Sequence, residues 1–275
     1  VGLEREFEIK KAARAKNVAV VGAGPAGLES ARILATRGHK VTLFERGPKI
    51  GGSLLIQAAP PCKDTILKLV NYFGTQLGKL AIKTELGTEA TAKDLQKFDA
   101  VVLATGASRT SDAAAQNGSV VTAMAIFTGN AKLGKKVLVA GDDRVALEVA
   151  DFISEKGIQT TVVSHEVPRA MAAGMLQSMK DQLFGRLAKK NVTLVSAVEF
   201  GAITSDGMNV CENYASSKPI AADTIVFTDA ASADVNLLSA LRKTVPEIFA
   251  VGDCLRKREH QDAIFDGSRV SRLLV

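Results

Sequence analysis

Two hydrophobic patterns run through this chain: short uninterrupted apolar runs, and longer stretches in which apolar residues recur every three or four positions. The uninterrupted runs predict strands buried on both faces of a parallel sheet. The longer stretches predict helices that present one face to the core. Predicted strands lie at residues 18–21, 40–44, 82–86, 99–103, 137–140, 160–163, 223–227 and 245–251. Their alternation with helices indicates an α/β protein.

Helical spacing is clearest in residues 66–80 and 175–187, and two more helices are predicted at residues 147–156 and 261–274. We expect Met175 and Met179 in the second of these helices to fill gaps in the core, the usual role of methionine.

Residues 192–228 carry short strand signals separated by clusters of turn-forming residues. Turns are predicted at residues 205–207, Ser-Asp-Gly, and at residues 216–219, Ser-Ser-Lys-Pro. Both clusters contain the residue types that interrupt regular structure.

A glycine-rich turn follows the first predicted strand. Its sequence, Gly22-Ala23-Gly24-Pro25-Ala26-Gly27, has the spacing of a dinucleotide-binding turn. In such a turn the first glycine permits the tight bend, the second lets the backbone approach a pyrophosphate, and the third lets the following helix pack close to the strand. The helix N-terminus adds N–H groups and partial positive charge for that pyrophosphate. Glu45, twenty-three residues after Gly22 and at the end of the next strand, stands where a carboxylate binds a ribose hydroxyl.

The same pattern recurs from residue 137. The turn Gly141-Asp142-Asp143-Arg144-Val145-Ala146 follows a strand, and Ser164 lies twenty-three residues after Gly141, the interval found in the first copy. The repeat predicts two Rossmann-like dinucleotide-binding units in one chain. The second copy has Asp143 in place of the glycine that should contact pyrophosphate, and Ser164 in place of the ribose-binding acid.

These differences leave two interpretations of the second unit open. In the first, Gly141, Asp143, Arg144, Val145 and Ser164 still bind NADPH weakly, because loss of the acid removes repulsion toward a 2′-phosphate. In the second, the unit is a degenerate domain kept for packing or for a smaller ligand such as ADP. The two adjacent aspartates of the turn favour the second interpretation.

The composition excludes several classes of function. The net charge is +6, but the basic residues cluster only in the short arm at residues 10–16 and are otherwise mixed with acids, so we expect no nucleic-acid partner. No run of eighteen apolar residues predicts a membrane span. Cys62, Cys211 and Cys254 form no CxxC pair, and with the three histidines they form no metal-ligand pattern. Isolated cysteines are typical of a reducing compartment, so we expect a cytoplasmic protein without a metal site.

The order of the motifs resembles that of flavoprotein pyridine-nucleotide oxidoreductases with two dinucleotide-binding domains. More narrowly, the chain is similar to the C-terminal half of the group formed by 2,4-dienoyl-CoA reductase and trimethylamine dehydrogenase, relatives of old yellow enzyme. The specific phrases are EREFEIKKAARAKNVAVVGAGPAGLESA, AAPPCKDTI and VPEIFAVGDC. The remaining shared motifs are the two fingerprints, Glu45, Gly51-Gly52, Ala104-Thr105-Gly106 and Val251-Gly252-Asp253. The likeness covers essentially the whole chain.

The resemblance implies an FAD site formed around the first fingerprint. In it the glycines of the first turn hold the pyrophosphate, Glu45 holds the adenosine ribose, and Thr105 and Gly106 contact the adenosine half. The residues implied are Gly22, Gly24, Pro25, Ala26, Gly27, Glu45, Arg46, Gly52, Ser53, Leu54, Thr105, Gly106, Gly252, Asp253 and Ala263.

The flavin half of the cofactor is assigned in the same way. By resemblance, Gly52, Ser53 and Leu54 line the flavin, and Asp253 hydrogen-bonds the ribitol. Ala263 is expected at a helix N-terminus facing the isoalloxazine ring. No side-chain nucleophile is required, so no catalytic residue is assigned.

Family members carry a TIM barrel with FMN and a four-cysteine iron–sulfur site before this region, and this sequence contains neither. Together with the absence of an initiating Met, this suggests a module of something longer. The resemblance implies an FAD-dependent module that passes electrons between NAD(P)H and an FMN/iron–sulfur unit, upstream or on a partner subunit. Trimethylamine dehydrogenase-like members have a comparably eroded second site that does not oxidise nicotinamide. The alternative is therefore an FAD- or ADP-binding domain that is structural or serves electron transfer only.

The implied organisation is a discontinuous FAD domain that encloses a second domain. Residues 1–116 and 243–275 form the FAD domain, with residues 1–16 as a linker, and residues 117–242 form the NAD(P)-binding-like domain. A further departure from the family lies at Thr228-Asp229-Ala230, where the glycine of the expected turn is missing.

Overall fold

The computed structural model describes residues 8–109, 120–212, 216–228, 231–233, 236–256 and 258–274. These residues form two compact units. The first contains the described chain up to Ala58, from Asp64 to Arg109, and from Ala231 onward. The second contains Ala59–Lys63 and the described chain between residues 120 and 228. The second unit is thus inserted into the first.

The elements alternate along the chain as the hydrophobic pattern predicts. The strands are β1 Asn17–Val21, β2 Lys40–Glu45, β3 Lys83–Leu86, β4 Ala100–Leu103, β5 Ala107–Arg109, β6 Val120–Thr122, β7 Lys136–Ala140, β8 Gln159–Val163, β9 Thr193–Val195, β10 Glu199–Thr204, β11 Gly207–Glu212, β12 Ser216–Ala221, β13 Thr224–Phe227, β14 Ala231–Ala233 and β15 Glu247–Ala250. The helices are α1 Pro25–Thr36, α2 Ser53–Gln57, α3 Thr65–Lys79, α4 Ala92–Leu95, α5 Ala123–Phe127, α6 Arg144–Ser154, α7 Gln177–Lys189, α8 Asn236–Leu241 and α9 His260–Leu273, with a 3-10 turn at Gly252–Cys254.

The first unit is built on a five-stranded parallel sheet in the order β15-β4-β1-β2-β3. Side chains from the two faces of β1 enter two separate cores. Val18 and Val20 pack with apolar residues of α1, α3 and α9, whereas Ala19 and Val21 pack with residues of α4 and α8. Burial on both faces explains why this strand is an uninterrupted apolar run.

The second unit repeats this architecture. Its parallel sheet has the order β6-β13-β7-β8-β9, and β7 and β8 correspond to β1 and β2. Helices α5, α6 and α7 pack on one face, and the antiparallel sheet β10-β11-β12 shares a hydrophobic core with the other. The prediction of an α/β fold with two Rossmann-like units is confirmed.

The turn predicted at residues 216–219 is wrong, because this segment belongs to β12, which pairs antiparallel with β11. Pro219 faces Asn209 in that pairing. Since β12 lies at the edge of its sheet, the missing N–H of proline costs no hydrogen bond to a further strand. The turn predicted at residues 205–207 is confirmed, since it joins β10 to β11.

The expectation that Met179 fills the core is also wrong. Met179 is 45% exposed, and Leu176, just before α7, is 69% exposed. Helix α7 faces its core with Leu183 and Leu187 instead. Met175 is partly buried against the same core, outside the helix.

The chain re-enters the first unit before residue 243, where the second segment of the FAD domain was predicted to begin. Helix α8 belongs to the first unit, where Leu241 is fully buried with residues of β4. The functional division into an FAD domain and an NAD(P)-binding-like domain stays a prediction. The sequence lacks the glycine expected in the turn after β13. Two residues of that turn, Asp229 and Ala230, lie outside the described residues.

Helix α9 lies close against α1, and two residues account for this approach. A Cβ atom on Gly267 would come within 2.3 Å of the carbonyl oxygen of Ala26, so only glycine permits the contact. At the other end, Nη1 of Arg37 donates to the carbonyl oxygens of Ser271 and Arg272, both at 2.7 Å. The guanidinium thereby satisfies the last carbonyl groups of α9.

Candidate functional site

The site residues of the first unit meet at one edge of its sheet. Because the strands are parallel, the ends of β1, β2, β4 and β15 all lie at the carboxyl edge. Gly22, Glu45, Ala104 and Val251 follow or end these strands. The chain order of the sheet reverses between β1 and β4, and ligands of open α/β sheets bind at such a switch point.

The three glycines of the first turn have different surroundings. A Cβ atom on Gly22 would lie 2.3 Å from the carbonyl oxygen of Ala104, and one on Gly27 would lie 1.8 Å from that of Gly22. Both positions are therefore required by packing. A Cβ atom on Gly24 would have no neighbour within 4 Å, so the space above this residue is open. Gly24 is also the N-cap of α1, where no side chain bonds the first N–H groups.

Glu45 is held at the end of β2 by two backbone N–H groups. Its Oε2 accepts from Ala23 and its Oε1 accepts from Gly47, both at 2.7 Å. Each carboxylate oxygen can accept more than one hydrogen bond, so Glu45 retains acceptor capacity for a ligand hydroxyl.

A cavity of about 440 Å³ opens beside this carboxylate. The predicted residues Gly22, Glu45, Arg46 and Thr105 line it together. Sequence reasoning missed the other lining residues, which are Val21, Phe44, Thr88, Glu89, Ala90, Ala107, Asn236, Leu237 and Ala240. Val21 and Phe44 directly precede the predicted Gly22 and Glu45 on β1 and β2. The others come from the loop after β3, from β5 and from α8, which only the fold brings to this edge.

The paired glycines after β2 bring a second loop onto the turn. Gly51 donates its N–H to the carbonyl oxygen of Ala23 at 2.8 Å. Gly52 has φ of +51°, and a Cβ atom there would lie 2.8 Å from the Cα of Gly24. Ser53 and Leu54 then begin α2, and the side chain of Leu54 is fully buried. The 0% exposure covers the whole residue, so the structure leaves no part of Leu54 open to a ligand, and its contact with the flavin stays a prediction.

The end of β15 adds the last group of predicted residues. Gly252 has φ of +71°, and a Cβ atom there would lie 3.0 Å from that of Ala26. Oδ1 of Asp253 accepts from the backbone N–H of Arg258 at 3.1 Å. Ala263 is buried in the first turn of α9 and donates its N–H to the carbonyl oxygen of Glu259. The 3-10 turn and α9 therefore approach the glycine turn from the β15 side.

This edge of the sheet fits the ADP half of FAD. A helix N-terminus without a side-chain cap lies beside open space at Gly24, which suits an anionic pyrophosphate. The fixed carboxylate of Glu45 beside a cavity suits a ribose. The roles of the individual residues stay predictions.

The corresponding turn of the second unit differs most at the N-terminus of its helix. A Cβ atom on Gly141 would lie 2.1 Å from the hydroxyl of Thr228 and 3.2 Å from the Cβ of Ala146, so a side chain here would have to displace the Thr228 hydroxyl. Asp143, at the position of Gly24, caps α6 by accepting from the N–H of Ala146 at 2.9 Å. A carboxylate thus takes one of the N–H groups that a pyrophosphate would use.

Asp142 makes a compact network with the end of β8. Its Oδ1 accepts from the Ser164 hydroxyl at 2.6 Å and from the backbone N–H of His165 at 2.7 Å, and its Oδ2 lies 3.0 Å from Nδ1 of His165. Burial alone would raise the pKa of Asp142. The hydrogen bonds from Ser164, His165 and Glu166 outweigh burial and hold its pKa below the usual 3.8.

Arg144, expected to help bind a nucleotide, is engaged within its own unit. Its Nε donates to Glu148 Oε1 at 2.7 Å, one turn further along α6. Lys63 forms an ion pair with the same oxygen of Glu148. Val145 is partly buried against the core of the second unit.

The part of the chain that the structure describes contains no candidate metal-ligand cluster and no candidate membrane-spanning helix. Among those residues, no cluster of three His, Cys, Asp or Glu could hold a metal ion, and no helix is long and apolar enough to cross a membrane. The three cysteines are unbridged, with Cys62 exposed and Cys254 buried.

Comparison with known proteins gives one family for nearly the whole chain. Residues 16–267 match the family model described as pyridine nucleotide-disulphide oxidoreductase. Cinnamate reductase of Clostridium sporogenes is 29% identical over 273 residues, which are 98% of this chain and 41% of that protein. Metal reductase of Desulforamulus reducens is 27% identical, over 96% of this chain and 44% of its own length.

Among solved structures, that of 2-naphthoyl-CoA reductase with 2-naphthoyl-CoA is 31% identical and superposes with a TM-score of 0.91. It matches 96% of this chain and 41% of its own. The chain therefore spans less than half the length of these relatives. The family match and the shared order of motifs agree with the resemblance stated from the sequence. This chain belongs to the pyridine nucleotide-disulphide oxidoreductase family.

Proposed function

We propose that this chain is an FAD-binding module that passes electrons between NAD(P)H and a partner unit carrying FMN and an iron–sulfur cluster. The observation that carries the FAD part is the open space at Gly24, beside an uncapped helix N-terminus and the fixed carboxylate of Glu45. The family match and the reductases among the relatives support electron transfer as the reaction class.

The chain's own residues would bind and orient the cofactor. The N–H groups at the start of α1 would hold the pyrophosphate, and the Glu45 carboxylate would accept hydrogen bonds from the ribose hydroxyls. Asp253 would accept from a ribitol hydroxyl, and the first turn of α9 at Ala263 would lie against the flavin. When bound, FAD supplies the chemistry that links a two-electron donor to one-electron acceptors.

The partner is proposed from the relatives. Because the chain covers 41% of cinnamate reductase and 44% of metal reductase, those proteins contain a large additional region. We assign the FMN and iron–sulfur cofactors to such a region, either upstream in the same protein or on a separate subunit.

A second candidate function is an FAD- or ADP-binding domain that does not oxidise nicotinamide. The Asp143 carboxylate at the N-terminus of α6 favours it, because this carboxylate repels a diphosphate and occupies one of its N–H partners. In this case the second unit would serve folding or assembly.

An anaerobic titration separates the two candidates. The protein is first reconstituted with FAD, freed of excess cofactor, and checked for flavin absorbance. NADH and NADPH are then added separately without oxygen. Bleaching of the flavin band by either nucleotide supports the oxidoreductase module. A stable flavin band with both nucleotides excludes it and supports the second candidate, and failure to take up flavin at all contradicts the FAD assignment.

A further inference from the structure

In both units a hydrogen-bonded carboxylate joins the glycine turn to the end of the neighbouring strand, but the donor and the acceptor exchange places. In the first unit, the carboxylate belongs to the end of the strand and the N–H belongs to the turn, since Glu45 accepts from Ala23. In the second unit, the carboxylate belongs to the turn and the donors belong to the strand end, since Asp142 accepts from Ser164 and His165.

Both arrangements place a carboxylate at the junction of turn and strand end. Ala23 and Asp142 are each the second residue of their turn, and Glu45 and Ser164 each lie twenty-three residues after the first glycine. Because the parallel pairing of β7 with β8 matches that of β1 with β2 residue for residue, the two junctions have the same backbone register. The substitution of serine at position 164 has therefore not removed the acid from this part of the second unit.

We propose that Asp142 is the ribose-binding acid of the second unit, and that it selects adenine nucleotides with a free 2′-hydroxyl over those with a 2′-phosphate. The inference rests on the proposed function in taking the second unit as a nucleotide site. It reverses the expectation, drawn from Ser164 alone, that the site lacks repulsion toward a 2′-phosphate.

The surroundings of Asp142 support this selectivity. The Asp142 side chain is 34% exposed, so its carboxylate is open to a ligand hydroxyl. The imidazole of His165 contacts Asp142 and is a group that could attract a 2′-phosphate. Its Nδ1 already lies 3.0 Å from Asp142 and its Nε2 lies 3.8 Å from Glu199 Oε2. Its ring also packs against that of Phe200, with the centroids 3.8 Å apart.

Asp143 should affect the affinity for both nucleotides and not the preference between a 2′-hydroxyl and a 2′-phosphate. It lies at the helix N-terminus, where the diphosphate common to NAD⁺ and NADP⁺ would bind. Replacing Asp143 with glycine should therefore raise the affinity for both nucleotides. Glycine is also accepted at an N-cap, so α6 should keep its fold in this variant.

The test compares NAD⁺ with NADP⁺, which differ only in the 2′-phosphate and cannot reduce a flavin. Calorimetric titrations use FAD-saturated protein, so that the first unit is blocked, and repeat the measurement in the Asp143→Gly variant. We expect NAD⁺ to bind at least about tenfold more tightly than NADP⁺, from like-charge repulsion. Failure of both proteins to bind NAD⁺, or an equal or higher affinity for NADP⁺, would overturn the proposal.

Three variants assign the selectivity to the Asp142 carboxylate. Asp142→Asn keeps the shape and should bring the two affinities close together. The double change Asp142→Ala with Ser164→Glu returns the carboxylate to the strand end, as in the first unit, and should restore the preference. Asp206→Asn, an exposed acid in the β10–β11 turn, should leave the preference unchanged.

These binding titrations are independent of flavin reduction. If nucleotides bind with the expected preference but the flavin is not bleached, the proposed oxidoreductase fails and the ribose assignment stands. If the flavin is bleached and NADPH is the better donor and ligand, the oxidoreductase stands and the assignment of Asp142 is wrong.

Discussion

The backbone N–H of Ala23 donates to Oε2 of Glu45 at 2.7 Å and so joins the glycine turn of the first unit to the end of β2. This bond fixes the carboxylate before any ligand arrives. A ribose-binding acid that is already oriented loses little side-chain freedom on binding, which favours affinity. The same bond brings the glycine turn and Glu45, which we propose as the pyrophosphate and ribose groups, together within one short stretch of sequence.

Replacing Glu45 with glutamine should weaken FAD binding by about tenfold to a hundredfold. Hydrogen bonds to a charged acceptor contribute about 1.5–3 kcal/mol, and the amide NH₂ would also face an N–H of the turn or of Gly47. Quenching of flavin fluorescence during titration measures the affinity. Glu85→Gln on β3 is the matched control, and equal affinity of both variants for FAD would contradict the assigned role.

Asp151 should be a strong contributor to the stability of the second unit. It is fully buried on α6 and accepts from Nε of Arg186 at 2.9 Å and from Nζ of Lys190 at 2.7 Å. Asp151→Ala leaves both cations without this partner, and we expect a loss of about 2–3 kcal/mol in the free energy of unfolding. Urea denaturation measures it. Asp181→Asn, on the exposed face of α7, should change stability by no more than about 0.5 kcal/mol, and similar values for the two variants would refute the role of Asp151.

His39 should make the protein less stable in mild acid. Burial lowers its pKa below the ordinary 6.5, and the nearby charges of Arg37 and Lys16 lower it further. Between the folded and the ordinary pKa, the unfolded chain binds the proton more readily, so stability falls as pH drops below about 6.5 and is unaffected above it.

The variant His39→Asn tests this pH dependence, because its amide oxygen can replace Nδ1 as the acceptor for the N–H of Lys16. Melting temperatures are compared between about pH 5 and pH 7.5. The variant should lose less stability over this range than the natural chain. Parallel curves for the two proteins would show that His39 is not responsible.

The cysteines should react with a thiol reagent in a defined order. Cys62 is exposed, whereas Cys254 is buried and its Sγ donates to the carbonyl oxygens of Val251 and Leu103. Burial also raises the pKa of Cys254 and so reduces its thiolate fraction. We expect fast labelling at Cys62, and labelling of Cys254 only after unfolding. The fast phase should disappear in Cys62→Ser, and its persistence or rapid labelling of Cys254 in native protein would contradict this order.

The fold was predictable where one physical signal dominates. The apolar run at residues 18–21 and the glycine spacing after it predicted β1, the turn and α1, because burial on both faces and close packing leave few alternatives. The segment at residues 216–219 was misassigned because proline and serine are typical of turns. Only the position of β12 at a sheet edge shows why proline is accepted there.

The second site was harder to interpret from the sequence. Asp142 was visible as part of the turn, but its bond to Ser164 joins residues twenty-two positions apart and depends on the pairing of β7 with β8. An acid at the second turn position combined with a hydroxyl residue at the strand end is the sequence pattern that would have predicted the bond between Asp142 and Ser164. The lining of the cavity beside Glu45 was unpredictable in the same way, because Thr88 and Asn236 reach it from distant parts of the chain.

The measurement that tests the central claim most directly is FAD binding by the variant Gly24→Asp. The backbone at Gly24, with φ −76° and ψ −177°, is open to any residue, and Asp143 has nearly the same conformation in the second unit. The new carboxylate should cap α1, leaving stability unchanged or raising it by roughly a few tenths of a kcal/mol. It should also repel the pyrophosphate.

We therefore expect the natural chain to retain flavin through gel filtration and the Gly24→Asp variant to lose it while melting at the same or a higher temperature without cofactor. Gly185→Asp, another exchange into open space, is the control and should retain flavin. Undiminished FAD binding by folded Gly24→Asp protein would contradict the assignment of the FAD pyrophosphate to the first glycine turn.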